Sequence, residues 1–253
     1  MAMFLAQYAH ARALRRERVF RDRLNPMDDY SDKRMHKYYR FTRNGVMRVI
    51  DMLVPHLQNQ TARSHAIDPR LQVFVALRFY ATGDFYSSVS AHHGISDSSV
   101  CRIVNRVTDV LVGMKEEYVK WPTTPEEVTD SQLGFFQLCG FPRVVGALDC
   151  THVPLDCAPL GPAEHCYINR KGWHSINVQL ICTSDYKITN VVARWPGSLH
   201  DQRILKHSSI WDLYEQDQLQ GVLLGDSGYQ PQTWLMAPYR RVTTAAEREY
   251  INA

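Results

Sequence analysis

No two of the six cysteines form a C-x-x-C pair, no run of about 18 apolar residues occurs, and no internal repeat or low-complexity tract breaks the 253-residue chain. The missing apolar run excludes a helical membrane span, so no membrane partner is expected. The cysteines are Cys101, Cys139, Cys150, Cys157, Cys166 and Cys182. Their densest group with histidine is Cys150, His152, Cys157, His165 and Cys166, and its spacing fits no zinc template. A zinc hydrolase is therefore the weakest reading, and a reduced intracellular protein is expected. The opening MAMFLAQYAHARALRRER lacks an unbroken apolar core and a small-residue cleavage site, so it does not read as a secretory signal. Its arginines suit a mitochondrial presequence or nuclear import, but Glu17 and Asp22 soon dilute the pattern.

Net charge is small overall and uneven. The formal net charge is only +3, yet residues 1–50 hold twelve Lys/Arg against five Asp/Glu. A basic amino-terminal region fits nucleic acid or an acidic partner, or simply a solvated face. At 45% apolar and 22% charged, the whole chain has ordinary globular composition.

Residues 1–24 read as a basic arm, broken at Asn25-Pro26. From Ser31 to about Leu57 the apolar residues Val46, Val49, Ile50, Leu53 and Val54 recur at helical spacing. Asp68 and Pro69 form a helix start. A short helix over Tyr86–His93, a turn at Gly94-Ile95 and a second helix capped by Ser96 have helix-turn-helix grammar. Val100, Ile103, Val104 and Val107 give the second helix its apolar face. Ser98, Ser99, Arg102, Asn105 and Arg106 occupy the other, where Ser98, Ser99, Arg102 and Arg106 are candidate DNA contacts. The competing reading is an ordinary packed helical hairpin. Residues 121–142 look like a linker with a short helical stretch to Leu138.

From Val144 the grammar changes to strands: VVGALD, then Ser175 to Asp185, a hairpin partner from Ile188 to Gly197, a helix from Asp201 to Lys206, and Val222 to Asp226. This order argues for a mixed α/β sheet. Two apolar strands each run into an acid, Asp149 and Asp226. A buried, unpaired carboxylate is costly, whereas the carboxyl ends of strands in open α/β sheets are where ligands gather. If those strands are neighbours, a shared Mg²⁺ or Mn²⁺ resolves the repulsion between the two acids. Either aspartate alone reads better as a turn cap, and it is the pair on matching apolar strands that favours a metal. Asp201 is either a third oxygen ligand or a first-turn acid favoured by the helix dipole. Arg170, Lys171 and His174 are candidate contacts for phosphate.

The segments ALDCTHV, YINRKGWHSINVQ, RWPGSLHD, LLGDSGYQ and WLMAPY, in this order, resemble the PIF/Harbinger group of DDE transposases, nearest its domesticated, transposase-derived nucleases. The resemblance covers roughly residues 60–253. It implies a ribonuclease-H-like endonuclease domain over 143–253, after a basic helical region at 1–60 and a helix-turn-helix-like region with linker at 61–142. It also implies a divalent-metal-dependent nuclease cutting DNA phosphodiester bonds, with Asp149 and Asp226 as catalytic acids and Asp201 as a further metal contact. A separate nuclear DNA-binding protein of the Myb/SANT-like kind is the implied partner, and the nucleus, with the cytoplasm as alternative, the implied location. The family's third acid is a glutamate on a later helix, for which neither Glu247 nor Glu249 is a match. The chain is accordingly expected to be truncated, with cleavage weakened or absent. The alternative function is an inactive DNA- or protein-binding module acting through the helical region.

Overall fold

The computed structural model describes residues 25–59, 66–157, 161–239, 242–245 and 247–248. The basic arm and Glu249 lie outside the described residues. The chain divides into two compact units, Met1–Lys115 and Glu116–Ala253.

The first unit is helical. Its described helices are α1 (Pro26–Asp29), α2 (Asp32–Tyr39), α3 (Arg43–Leu53), α4 (Pro69–Thr82), α5 (Tyr86–His93) and α6 (Asp97–Gly113). Side chains set most of the starts. Asn25, Ser31, Thr42, Asp68 and Ser96 each accept a backbone N–H from the first turn. The single helical stretch expected over 31–57 is two helices, because Arg40 takes a left-handed φ of 60° and Thr42 caps a fresh start. Helix α4 is buried from Leu71 through Leu77, on all sides, so it forms the centre of the unit. Val46, Ile50 and Leu53 of α3 and Val100, Ile103, Val104 and Val107 of α6 close around it in one apolar cluster. Gly94 takes φ 64° and ends α5, and Ser96 opens α6, as the sequence pattern expects.

The second unit is mixed α/β. Its elements are α7 (Lys115–Tyr118), which crosses the division, α8 (Pro125–Cys139), β1 (Val144–Pro154), β2 (Ser175–Cys182), β3 (Ile188–Pro196), α9 (Asp201–Lys206), α10 (Ser209–Glu215), β4 (Val222–Gly225) and β5 (Leu235–Met236). The five strands form one sheet in the order β3-β2-β1-β4-β5. The first three run antiparallel to one another, while β4 is parallel to β1 and β5 to β4. Val145, Leu148, Ile181 and Leu223 pack with Leu205, Ile210, Tyr214 and Trp234 on one face of this sheet. The expected mixed α/β class, helices first and sheet second, is what the structure shows.

Two sequence expectations need revision. The linker over 121–142 holds a full 15-residue helix, α8, which packs on β1. Its start is a capping box: Thr124 accepts from Glu127 N, and the Glu127 carboxylate reaches back to Thr124 N. The sequence reading yields only a short helical stretch to Leu138, although Thr124, Pro125 at the first helical position and Glu127 together mark a helix start. Strand β1 also does not stop at Asp149. It continues to Pro154 on β2, while its pairing with β4 ends at Leu148.

Candidate active site

The register between β1 and β4 places Leu148 opposite Gly225. The next residue on each strand is an aspartate, so Asp149 and Asp226 leave the paired ends side by side. Both are exposed, whereas Leu148 belongs to the core. A third carboxylate comes from the first turn of α9. A Cβ placed on Gly228 would lie 2.9 Å from Asp226 Oδ1 and 3.3 Å from Asp201 Oδ2. The two carboxylate oxygens therefore flank one point, and only glycine leaves it open.

Each acid has a fixed anchor. Asp149 Oδ1 accepts from Cys150 N at 2.7 Å, and Asp226 Oδ1 accepts from Gly228 N at 2.9 Å. Asp201 Oδ1 accepts from Asn177 Nδ2 at 3.0 Å, and the same amide donates to Leu199 O at 3.0 Å. Asn177 is fully buried on β2. Beside Asp149 on β1, Cys150 Sγ and the Tyr229 hydroxyl lie 3.2 Å apart against the core. Burial pushes the Cys150 thiol up to about 12, the nearby Asp201 and Asp149 carboxylates adding to the rise. Burial likewise raises the Tyr229 phenol, again helped by Cys150, Asp201 and Asp149. Both groups stay protonated at neutral pH, which keeps further negative charge away from the acids.

Among the described residues, no group of three or more His, Cys, Asp or Glu is arranged to hold a metal ion. The zinc reading of the Cys150–Cys166 segment finds no support. Cys150 faces Tyr229, His152 Nδ1 faces Ser175 Oγ at 3.1 Å, and His165 Nδ1 faces Pro162 O at 3.0 Å. The three rim aspartates are still the donor set a hard cation takes. Each spends one oxygen on a local donor, and the Gly228 cradle leaves the space between two of them clear.

Arg170 and Lys171 are exposed on a tight loop before β2. Buried Asn169 staples it: its side chain accepts from Lys171 N at 2.9 Å and donates to Ser175 Oγ at 3.1 Å. The loop follows the far end of β1, about 15 Å along the strand from Asp149 by strand rise. His174 Nε2 lies 3.2 Å from Glu164 Oε1, but outside hydrogen-bond geometry, so it is an ion-pair contact at most.

In the helical unit, Ser98 and Arg102 are exposed on α6 and Ser99 half-buried. Ser96 Oγ contacts both Ser98 Oγ and Ser99 Oγ, and Arg102 Nη2 donates to Ser99 Oγ at 3.3 Å. Arg106 differs. It donates to Gln58 O at 2.9 Å and reaches Asn59 Oδ1 and Gln72 Oε1 at 3.4 Å, so it ties α6 to the segment after α3. Glu247 reads as a cap: its carboxylate accepts from Thr243 and Thr244, which draw it down to about 2.

Sequence reasoning counted Asn177 among the polar candidates before and within β2 without giving it a role, and passed over Gln179, Gly228 and Tyr229. The segment SINVQ alternates, and an ordinary pattern rule sends its Ile and Val inward. Ser175, Asn177 and Gln179 are the fully buried set instead, because α9 and its Asp201 lie over that face. Polar residues at alternate positions of an apolar strand were the available signal.

Residues 148–252 match the family described as DDE superfamily endonuclease. The chain is 35% identical to the human protein named "Putative nuclease HARBI1" over 225 residues, 88% of this chain and 64% of that protein. The Xenopus laevis protein of the same name is 32% identical over the same shares. "Protein ALP1-like" of Arabidopsis thaliana is 26% identical over 72% of this chain and 47% of its own length. No solved structure matches. The chain thus carries a DDE superfamily endonuclease domain. Over most of its length it is similar to the HARBI1 proteins, and it spans just under two thirds of theirs.

Proposed function

We propose that the chain is a transposase-derived, divalent-metal-dependent nuclease that hydrolyses DNA phosphodiester bonds at the rim between β1 and β4. The observation that carries this is the register: Leu148 opposite Gly225 puts Asp149 and Asp226 next to each other, and Gly228 lets Asp201 approach the second of them. Asp149, Asp201 and Asp226 are the residues that would hold Mg²⁺ or Mn²⁺. When bound, such an ion supplies Lewis acidity and a water acidic enough to attack at neutral pH. The protein's own contributions are orientation and charge. Asn177 holds the Asp201 carboxylate, Cys150 and Tyr229 stay neutral behind the rim, and Arg170 and Lys171 bind backbone phosphate along the strand exit. The ribonuclease-H-like reading of the domain is supported by its mixed sheet, with Asp149 within β1 and Asp226 just after the parallel strand β4.

In the helical unit, α5 and α6 are read as a helix-turn-helix with Ser98, Ser99 and Arg102 toward DNA, and with Arg106 as a structural tie. A nuclear location and a Myb/SANT-like DNA-binding partner rest on the family resemblance alone. The test is nicking of supercoiled DNA with Mg²⁺ or Mn²⁺. Asp149→Ala and Asp226→Ala should each abolish metal-dependent cleavage, and unchanged nicking by both would reject the assignment.

A second reading is a binding module without catalysis. It is favoured by the anchoring of one oxygen of every rim acid and by the lack of a poised three-donor group among the described residues. Salt-sensitive DNA binding with no cleavage under either metal is its signature.

A further inference from the structure

The helical unit holds a second polar cluster, built from α2, α4 and the end of α5, that the reading above does not use. The Tyr38 ring centre lies 4.1 Å from the Arg78 guanidinium carbon, 5.3 Å from Lys37 Nζ and 6.0 Å from the Arg34 guanidinium carbon. Arg34 also stands 4.7 Å from the centre of the Tyr30 ring, whose hydroxyl meets His92 Nε2. Three full positive charges thus gather around one half-buried ring. The ion pairs among the described residues join Arg43 to Asp32 and His174 to Glu164, and none involves these three cations.

The bland account is a solvated basic face with its stems on aromatic rings, each contact stabilising by about 0.5–1 kcal/mol. It covers exposed Arg34 and Lys37, but not Arg78. Arg78 is half-buried, and its Nε and Nη1 are enclosed with no hydrogen-bond partner. An enclosed, unpaired guanidinium N–H is costly, and the Tyr38 ring and Tyr30 hydroxyl beside Arg78 bring no full negative charge to offset it. The local field is positive throughout. Burial, then Arg78 and Arg34, hold the His92 imidazole below its usual value. Charge of one sign collected over a half-buried arginine lacks only an anion.

We infer that Arg34, Lys37 and Arg78 form a binding site for the phosphate backbone of nucleic acid, separate from the rim aspartates and from the polar face of α6. The planar guanidinium of exposed Arg34 matches a phosphate's paired oxygens, exposed Lys37 supplies a point charge beside it, and half-buried Arg78 adds its charge from beneath. Aromatic rings interleaved with the cations suit a nucleic-acid strand, on which sugars and bases offer flat surfaces. The choice of nucleic acid over an acidic protein rests on the proposed function, since a nuclease domain in the same chain acts on that polymer. The site itself rests only on the helical unit.

The test uses the whole chain and a labelled duplex, followed by fluorescence anisotropy against salt concentration in a metal-free buffer with chelator. Arg34→Ala/Lys37→Ala and Arg78→Met should each weaken binding. Each lost phosphate contact should also lower the slope of log affinity against log salt by about 1. Arg34 and Lys37 are exposed, so the double variant decides the matter if Arg78→Met fails to fold. A folded double variant with unchanged affinity and slope would overturn the site. Binding of polyglutamate but not DNA through these residues would overturn the choice of phosphate in favour of an acidic protein. Loss of cleavage with this binding intact would count against the nuclease reading and leave the site standing.

Discussion

The Asn177 side chain and the Asp201 carboxylate are joined by one 3.0 Å hydrogen bond, and the same Asn177 amide also holds Leu199 O. Asn177 is fully buried, and its own Oδ1 has no partner. A buried orphan acceptor costs about 1–3 kcal/mol, so this amide is better explained by what it holds than by stability. Asn177→Leu removes the orphan and the donor together. Stability should change by no more than about 2 kcal/mol. Mn²⁺ affinity should fall about 10–100-fold, as for other residues that orient a metal ligand. Denaturant melts and Mn²⁺ titration check the two halves separately. Gln179, equally buried and with neither amide atom partnered, serves as control: Gln179→Leu should keep Mn²⁺ affinity and hold or raise stability.

Gly228 allows Asp201 and Asp226 to share one space. The methyl of Gly228→Ala would meet Asp226 Oδ1 at 2.9 Å and Asp201 Oδ2 at 3.3 Å. Both carboxylates sit on short loops or helix starts and can move away, so the fold should survive. Circular dichroism should stay native while Mn²⁺ affinity drops; a variant that binds metal as well as the parent would show that this space is not the site.

The helical unit carries a pH-dependent liability at His93. Burial, aided by neighbouring His92 and Arg78, pushes its imidazole down to about 3, and neither ring nitrogen has a partner. In the unfolded chain the same group binds a proton near pH 6.5. Between pH 6.5 and about 3 the unfolded state therefore holds the extra proton, and stability falls as pH drops through that window. Above pH 6.5 the group contributes no pH dependence. His93→Leu should flatten this part of the profile in urea melts at several pH values, and an unchanged slope would contradict the assignment.

Helix α8 depends on its capping box. Thr124→Ala leaves Glu127 N without its acceptor and should cost about 1 kcal/mol, read as a lower urea midpoint. Because α8 packs on β1, the loss should be cooperative with the sheet unit and not a local fraying.

Much of this architecture was legible from residue pattern. Ser96, Gly94 and Asp68 marked helix ends correctly because caps act over three or four residues, with little help from tertiary context. The strand pair Leu148 and Gly225 was less accessible. Two apolar runs ending in acids suggested neighbours, but only the sheet order β3-β2-β1-β4-β5 makes them so. That Asn177 and Gln179 point inward was hidden for the opposite reason. Their burial is imposed by α9 lying over β2, and no local rule sends amides inward while Ile176 and Val178 stay half-exposed. Arg106 looked like a free surface cation until the segment after α3 supplied its acceptors from almost fifty residues away.

The central claim is that the carboxylates of Asp149, Asp201 and Asp226 jointly take a divalent cation. The most direct measurement is Mn²⁺ binding by electron paramagnetic resonance on the purified chain and on Asp149→Asn, Asp201→Asn and Asp226→Asn. The parent should show stoichiometric Mn²⁺ uptake that Mg²⁺ competes away, and each variant should weaken it markedly. Mn²⁺ uptake by all three variants equal to that of the parent would contradict the account.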